Sequence, residues 1–301
     1  MKTDAVLIAG PTASGKSAAA LALAEALNGV IVNADSMQVY RGLRILTARP
    51  STADEARVRH HLYGYVDVNE AYSAARYQLD AARAFAEIRA GRRLPIFVGG
   101  TGLYFGALTE GLAAIPAIPP AIRAGAKKLR ERLGAEEFFS RLRARDPQGA
   151  ARLHAGDTQR VLRAYEVFEA TERSLSEWQR AKPLPGPLSG LRLCRFVLAP
   201  ERAALYRRID QRFERMLENG AAAEAAALDD VEPERPAAKI LGLRELQAAA
   251  RGEISLEEAK SAAKTASRHY AKRQLTWFRN RFADWVWLES NFLTRVLSHL
   301  E

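Results

Sequence analysis

Residues 10–17 read GPTASGKS, preceded by the apolar run Ala5-Val6-Leu7-Ile8-Ala9 and followed by the alanine-rich stretch Ser17 to Leu27. The glycines, Lys16 and Ser17 stand at P-loop spacing, in which backbone N–H groups wrap a diphosphate, the lysine reaches its oxygens and the hydroxyl ligates Mg²⁺. A short buried strand before the loop and a helix after it are the setting such a loop requires, because the helix then opens with its N–H groups aimed at the anion. Gly10, Pro11, Thr12, Ala13, Ser14, Gly15, Lys16 and Ser17 are therefore the candidate diphosphate cradle, with Ser17 the candidate metal ligand. The loop alone does not choose between ATP and another diphosphate.

Outward from the loop, strand and helix alternate. Val30 to Ala34 reads as a second strand ending at Asp35, and Leu94 to Val98 as another ending at Gly99-Gly100-Thr101, with the helical stretch Ser73 to Ala90 between them. That alternation predicts an α/β fold, a P-loop NTPase-like parallel sheet flanked by helices, with ligands gathered at the carboxyl ends of the strands. After Pro116, Pro119 and Pro120 the pattern changes to short arginine-rich helices, one running Thr158 to Glu172. It ends at 182–190, KPLPGPLSG, where prolines and glycines preclude a continuous element. The expectation is a catalytic core made of 1–115 and 191–301, interrupted by an inserted all-helical domain at 116–190. Leu191 to Leu198 reads as a strand returning to the sheet. Helices then cover Glu201 to Asn219 and Leu256 to Arg281, the second opening with the capping box Ser255-Leu-Glu-Glu258.

Composition narrows the function classes. A chain of 301 residues with 48% apolar content can bury a sizeable core. Its single cysteine, Cys194, allows neither a disulfide framework nor a cysteine zinc site within one chain, and core packing is its expected role. No apolar stretch reaches membrane-spanning length, so a cytoplasmic protein without a membrane partner is expected. Adjacent His60 and His61 point apart on a strand with no third ligand nearby, which argues against a metal site. The net charge of +10 is regional: +9 falls between residues 121 and 215, against +2 for 1–115 and −1 for 216–301. Such a footprint suits a phosphate backbone.

The loop's ligand depends on the second strand. Many P-loop ATPases and kinases place an acid at the end of a second apolar strand to hold Mg²⁺. Here Leu94 to Val98 ends instead in Gly99-Gly100-Thr101, which offers a hydroxyl. The acid at a strand end near the loop is Asp35, which could serve Mg²⁺, accept a proton from a nucleophile, or simply cap a helix.

A resemblance bears on that choice. GPTASGKS at 10–17, ADSMQVYRGL at 34–43, GGTGLY at 99–104, DTQRVLRAYEV at 157–167 and RQLTWFR at 273–279 together resemble the tRNA dimethylallyltransferase family, bacterial type, in that family's order through almost the whole chain. The resemblance implies that the loop binds dimethylallyl diphosphate and that the dimethylallyl group passes to N6 of the adenosine 3′-adjacent to the tRNA anticodon. Mg²⁺ would assist, and the enzyme would act as a monomer. Asp35 would be the base at N6. Thr101 would orient amine or base, and Lys16 with Arg212 would hold the diphosphate, Arg212 being favoured over Arg208 in the segment Arg208-Ile-Asp-Gln-Arg212.

The same resemblance assigns contacts with tRNA to Asp35, Ser36, Met37 and Gln38, the last with both amide groups available, and to Thr101 and Arg123. It assigns others to Gln159, Arg160, Val161, Leu162 and Arg163, and to Lys239, Ile240, Leu241, Gly242, Leu243 and Arg244. Leu243 stands where the family usually has tyrosine, and the family's GTAKP is Leu46-Thr-Ala-Arg-Pro50 here. The stretch Lys264 to Arg281 carries six basic residues, no acid, and Tyr270, Trp277 and Phe278, which reads either as a single-strand RNA surface or as core aromatics beneath a solvated stripe. The competing functions are a prenyltransferase acting on free adenine nucleotides, an ATP-dependent small-molecule kinase, and a non-catalytic RNA-binding protein.

Overall fold

In the computed structural model, which describes residues 3–228, 231, 235–290 and 292–300, the core is one parallel sheet of six strands. They are β1 (Ala5–Ala9), β2 (Gly29–Asn33), β3 (His60–His61), β4 (Leu94–Gly99), β5 (Leu193–Leu198) and β6 (Val286–Leu288), in the order β3-β2-β4-β1-β5-β6. β1 lies at the centre with every residue buried, paired with β4 through Val6↔Ile96 and with β5 through Val6↔Cys194. Its unbroken apolar run is what a strand covered on both faces requires. One face is packed by a cluster that includes Leu7, Val32, Phe97, Phe105 and Phe278, the other by Val6, Ile8, Leu23, Ile96 and Phe196.

The strand–loop–helix unit forms as its sequence dictates. β1 runs into the loop, Ala13 and Gly15 take positive φ of 62° and 93°, and the helix Lys16–Ala26 starts at once. Gly15 carries the larger positive φ at no steric cost. The helix Ala74–Ala90 starts on Ser73, whose hydroxyl accepts from Arg76 N. The helix Leu256–Arg281 has the full capping box, Ser255 accepting from Glu258 N while the Glu258 carboxylate accepts from Ser255 N. Cys194 is half-buried against the second core cluster. His60 and His61 form β3, and no group of three or more His, Cys, Asp or Glu suited to a metal occurs among the described residues.

The chain divides into two compact units, 1–109 with 187–301, and 110–186. The smaller unit is helical. In place of several short helices, its first half is one element, Pro120–Arg145, broken at Gly134, where φ 78° and ψ 176° depart from helical values. The broken helix and the helix Thr158–Thr171 pack Phe138, Leu142, Val161, Ala164 and Tyr165 together. No helix among the described residues is long and apolar enough to cross a membrane.

Candidate active site

Three loops meet at the carboxyl ends of β1, β2 and β4, as the sheet topology predicts. Gly10 N donates to Gly99 O at 3.3 Å, and Thr101 N to Ala34 O at 3.2 Å, so the P-loop, the Asp35 turn and the Gly99–Gly100–Thr101 loop are stitched by their backbones. Gly99 has no room for a side chain, since a Cβ there would overlap the Ala34 carbonyl.

Lys16 folds back over the loop and its Nζ donates to Pro11 O at 3.2 Å. It is 9% exposed. Burial pushes its ammonium down to about 8, opposed by the Asp35 carboxylate and reinforced by the Arg212 guanidinium. Burial also pushes Arg212 down to about 10, again with Asp35 acting the other way. One buried and one half-buried cation thus stand with one acid near both, an arrangement that favours a multivalent anion. Arg212 lies on the helix Arg202–Glu218 and lines a small cavity with Thr12, Ala13, Leu46, Phe213 and Leu241, whereas Arg208 is exposed. Ser14 Oγ is buried inside the loop with no hydrogen-bond partner.

Asp35 is set by an Asx-type turn. Its N–H donates to Asn33 Oδ1 at 2.8 Å, its Oδ1 accepts from Met37 N at 3.0 Å, and Asn33 Nδ2 donates to both Asp35 O and Leu62 O. One carboxylate oxygen is thereby committed to the turn. The other faces Gly100, where an added Cβ would stand 3.2 Å away. Thr101 Oγ1 accepts from Ser36 N at 2.9 Å and donates to Ser36 Oγ at 3.2 Å. Tyr270 approaches Thr101 with its hydroxyl, and burial raises its phenol well above the usual range.

The candidate nucleic-acid contacts divide by accessibility. Lys239 and Arg244 are exposed and adjacent, partial burial and then the Arg244 charge lowering the Lys239 ammonium below its ordinary value. Between them Ile240, Gly242 and Leu243 are buried, and Leu241 is half-buried against the P-loop cavity. In the helical unit Arg123, Gln159 and Arg160 are exposed, and Arg163 lies 3.7 Å from Glu166. Val161, 1% exposed, is core, and Leu162 packs against the same cluster. The side chains of Ile240, Leu243 and Val161 are packed in apolar clusters. Ser36 and Met37 remain half-buried beside Asp35. Gln38 donates its amide N–H groups to Thr47 O at 2.8 Å and Ala48 O at 2.9 Å.

In the stretch Lys264 to Arg281 the core alternative holds for Phe278, fully buried, and for Trp277, whose ring packs edge-on against Phe282 and occupies the space a Gly102 side chain would need. Lys264 pairs with Glu214, and Arg268 with Asp210 at 2.9 Å, while Lys272, Arg273, Arg279 and Arg281 stay exposed. Residue reading missed two groups. Glu224 accepts from Ile45 N at 2.9 Å and Leu46 N at 2.7 Å, and so holds the loop that Gln38 grips. Gln274, buried, joins the P-loop to Gly100.

Comparison with known proteins gives a consistent family. The IPP transferase family matches residues 38–281, and the Isopentenyl transferase family matches 3–70. A tRNA dimethylallyltransferase of Nitrobacter hamburgensis is 52% identical over 286 residues, covering 94% of this chain and 90% of the relative. The crystal structure of the full-length tRNA isopentenylpyrophosphate transferase of Bacillus halodurans superposes with TM-score 0.70 at 33% identity, covering 99% of this chain and 94% of that one. That of a eukaryotic dimethylallyltransferase acting on tRNA superposes with TM-score 0.80 at 26% identity, covering 95% and 73%.

Proposed function

This chain belongs to the IPP transferase family, and from that membership we propose that it moves a dimethylallyl group from dimethylallyl diphosphate to N6 of the adenosine 3′-adjacent to the anticodon of tRNA. It is a tRNA prenyltransferase. The observation that carries the reading is the convergence of a buried cation, Lys16, a half-buried one, Arg212, and one strand-end carboxylate, Asp35, on the P-loop.

An exocyclic adenine amine is a weak nucleophile because its lone pair is delocalised into the ring. The target base has to leave its stack to reach the pocket, where its edge meets Asp35, Ser36, Met37 and the Gln38 carbonyl oxygen. As the C–N bond forms and the allylic C–O bond breaks, the Asp35 oxygen facing Gly100 takes the N6 proton, held in place by the Asn33 and Met37 hydrogen bonds. Thr101, fixed on Ser36, orients the amine. Charge developing on the departing diphosphate is met by the N–H groups of Gly15, Lys16 and Ser17 where the helix opens, by the Lys16 ammonium and by Arg212, all placed before reaction begins.

Mg²⁺ fits this donor set. Ser17 is exposed at the first turn of its helix, where its hydroxyl would hold the ion beside the substrate's phosphate oxygens. Bound there it would neutralise part of the diphosphate charge. The exposed basic groups Arg123, Arg160, Lys239 and Arg244 would grip tRNA phosphates, and 116–190 would act as the tRNA-binding insertion. The enzyme would work as a cytoplasmic monomer.

Isothermal titration separates this reading from a kinase. With Mg²⁺ present, dimethylallyl diphosphate or inorganic pyrophosphate should bind and ATP should not be turned over. Turnover of ATP with no binding of the prenyl donor would overturn it.

A further inference from the structure

Gln274 hydrogen-bonds to both the P-loop and the Gly99–Gly100–Thr101 loop. Its Oε1 accepts from Thr12 N at 3.0 Å and its Nε2 donates to Gly100 O at 2.9 Å. It is 6% exposed and projects from the helix Leu256–Arg281 into the floor of the site. Gly100 is shaped around it, since a Cβ there would overlap Gln274 Nε2. The carboxamide is suited to this bridge because it offers an acceptor and a donor on one planar group, and here each end faces the complementary backbone atom.

We propose that Gln274 is a positioning residue that sets the distance between the leaving diphosphate and the incoming amine. The inference rests on the reaction assigned above. Thr12 belongs to the cradle, while Gly100 lies between Gly99, which meets the Asp35 turn, and Thr101, which fixes Ser36. Transfer requires the allylic carbon to lie within van der Waals reach of N6 while its oxygen remains on the loop. An error of about 1 Å in such a geometry can cost about 10²-fold in rate. Backbone bonds also connect these loops, Gly10 N to Gly99 O among them, but at 3.3 Å that bond is long. Gln274 adds two shorter ones deeper in each loop, so its loss should loosen the register of two half-sites that each remain formed.

The test compares Gln274→Met, which keeps length and bulk but neither hydrogen bond, with Gln274→Glu, which keeps the acceptor for Thr12 N–H. Wild-type transfer is measured alongside, so that failure of the assigned reaction is seen separately. For Gln274→Met the expected result is kcat down by about 10- to 100-fold with the dissociation constants for pyrophosphate and tRNA within about threefold of wild type. For Gln274→Glu, protonation restores the donor to Gly100 O, so its kcat relative to wild type should rise as pH falls from 8 to 6. A kcat unchanged for Gln274→Met with only the melting temperature lowered would overturn the proposal in favour of simple packing. Equal loss of pyrophosphate affinity and kcat would overturn it in favour of a binding role, and a flat pH ratio for Gln274→Glu would remove the Gly100 bond from the account.

Discussion

At the scale of single residues, the site stores charge in an unfavourable state. Lys16 has its ordinary value near 10.5 when unfolded and about 8 when folded, burial being the main cause. Between those two values the unfolded chain holds the proton and the native chain does not, so for this group stability rises with pH across that interval. Below pH 8 both states are protonated and the native state carries the full burden of a buried ammonium. Lys16→Met should therefore stabilise the free protein by on the order of 3 kcal/mol at pH 7 and progressively less toward pH 10.5. Thermal melts across pH measure it, and a variant less stable than wild type at pH 7 would contradict it. Pyrophosphate should raise the melting temperature of wild type and not of the variant. Lys16, Ser17, Asp35 and Thr101 are readable from sequence because a loop with fixed spacing, or a strand end, carries the signal. Gln274 and Glu224 are not, because their partners are backbone groups brought from 262 and 179 residues away. Asn33 lay between these cases: an Asn before a strand-end acid is a local turn signal, and it was available in the sequence.

Among elements, the glycines of the Gly99–Gly100–Thr101 loop decide how closely β4, the Asp35 turn and the helix Leu256–Arg281 approach. Gly102 faces the Trp277 ring, and a Cβ there would overlap it. Gly102→Ala should destabilise by about 1–3 kcal/mol, the usual range for overpacking, and lower activity as the Thr101 loop shifts. Urea unfolding measures the first and prenyl transfer the second; neutrality in both would mean that Trp277 moves aside freely. The long elements were legible because each carries its own periodicity and caps, as Ser73 and Ser255 do. β3 is the strand on which His60 and His61 are expected, whereas β6, three residues long, is not legible, since a strand that short is defined by its neighbour's pairing, here Val197↔Trp287. Where short arginine-rich helices are expected after Pro120, the chain forms the long element Pro120–Arg145, whose backbone breaks at Gly134 and resumes beyond it.

For the whole molecule, charge and chemistry are segregated along the chain: most of the net positive charge lies between residues 121 and 215, while Lys16, Asp35 and Thr101 lie in the first strand–helix repeats. If exposed arginines such as Arg160 hold tRNA phosphates, log affinity should fall linearly with log salt, by about 0.7 to 0.9 for each contact. Arg160→Ala should reduce that slope by about one and weaken all substrate tRNAs alike. A slope unchanged in the variant would place tRNA elsewhere. The regional charge is legible as a footprint, and helical spacing puts Arg160 and Arg163 on one face, while Val161 between them is core. The central claim is that the P-loop holds a leaving group while Asp35 receives a proton from an adenine amine. It is tested most directly by incubating the protein with unmodified tRNA, Mg²⁺ and dimethylallyl diphosphate, digesting the RNA and measuring its nucleosides by mass spectrometry. The account predicts N6-dimethylallyladenosine 3′ to the anticodon, with Asp35→Ala slower by about 10²- to 10⁴-fold. Unmodified adenosine after incubation with wild type, or full activity in the Asp35 variant, would contradict it.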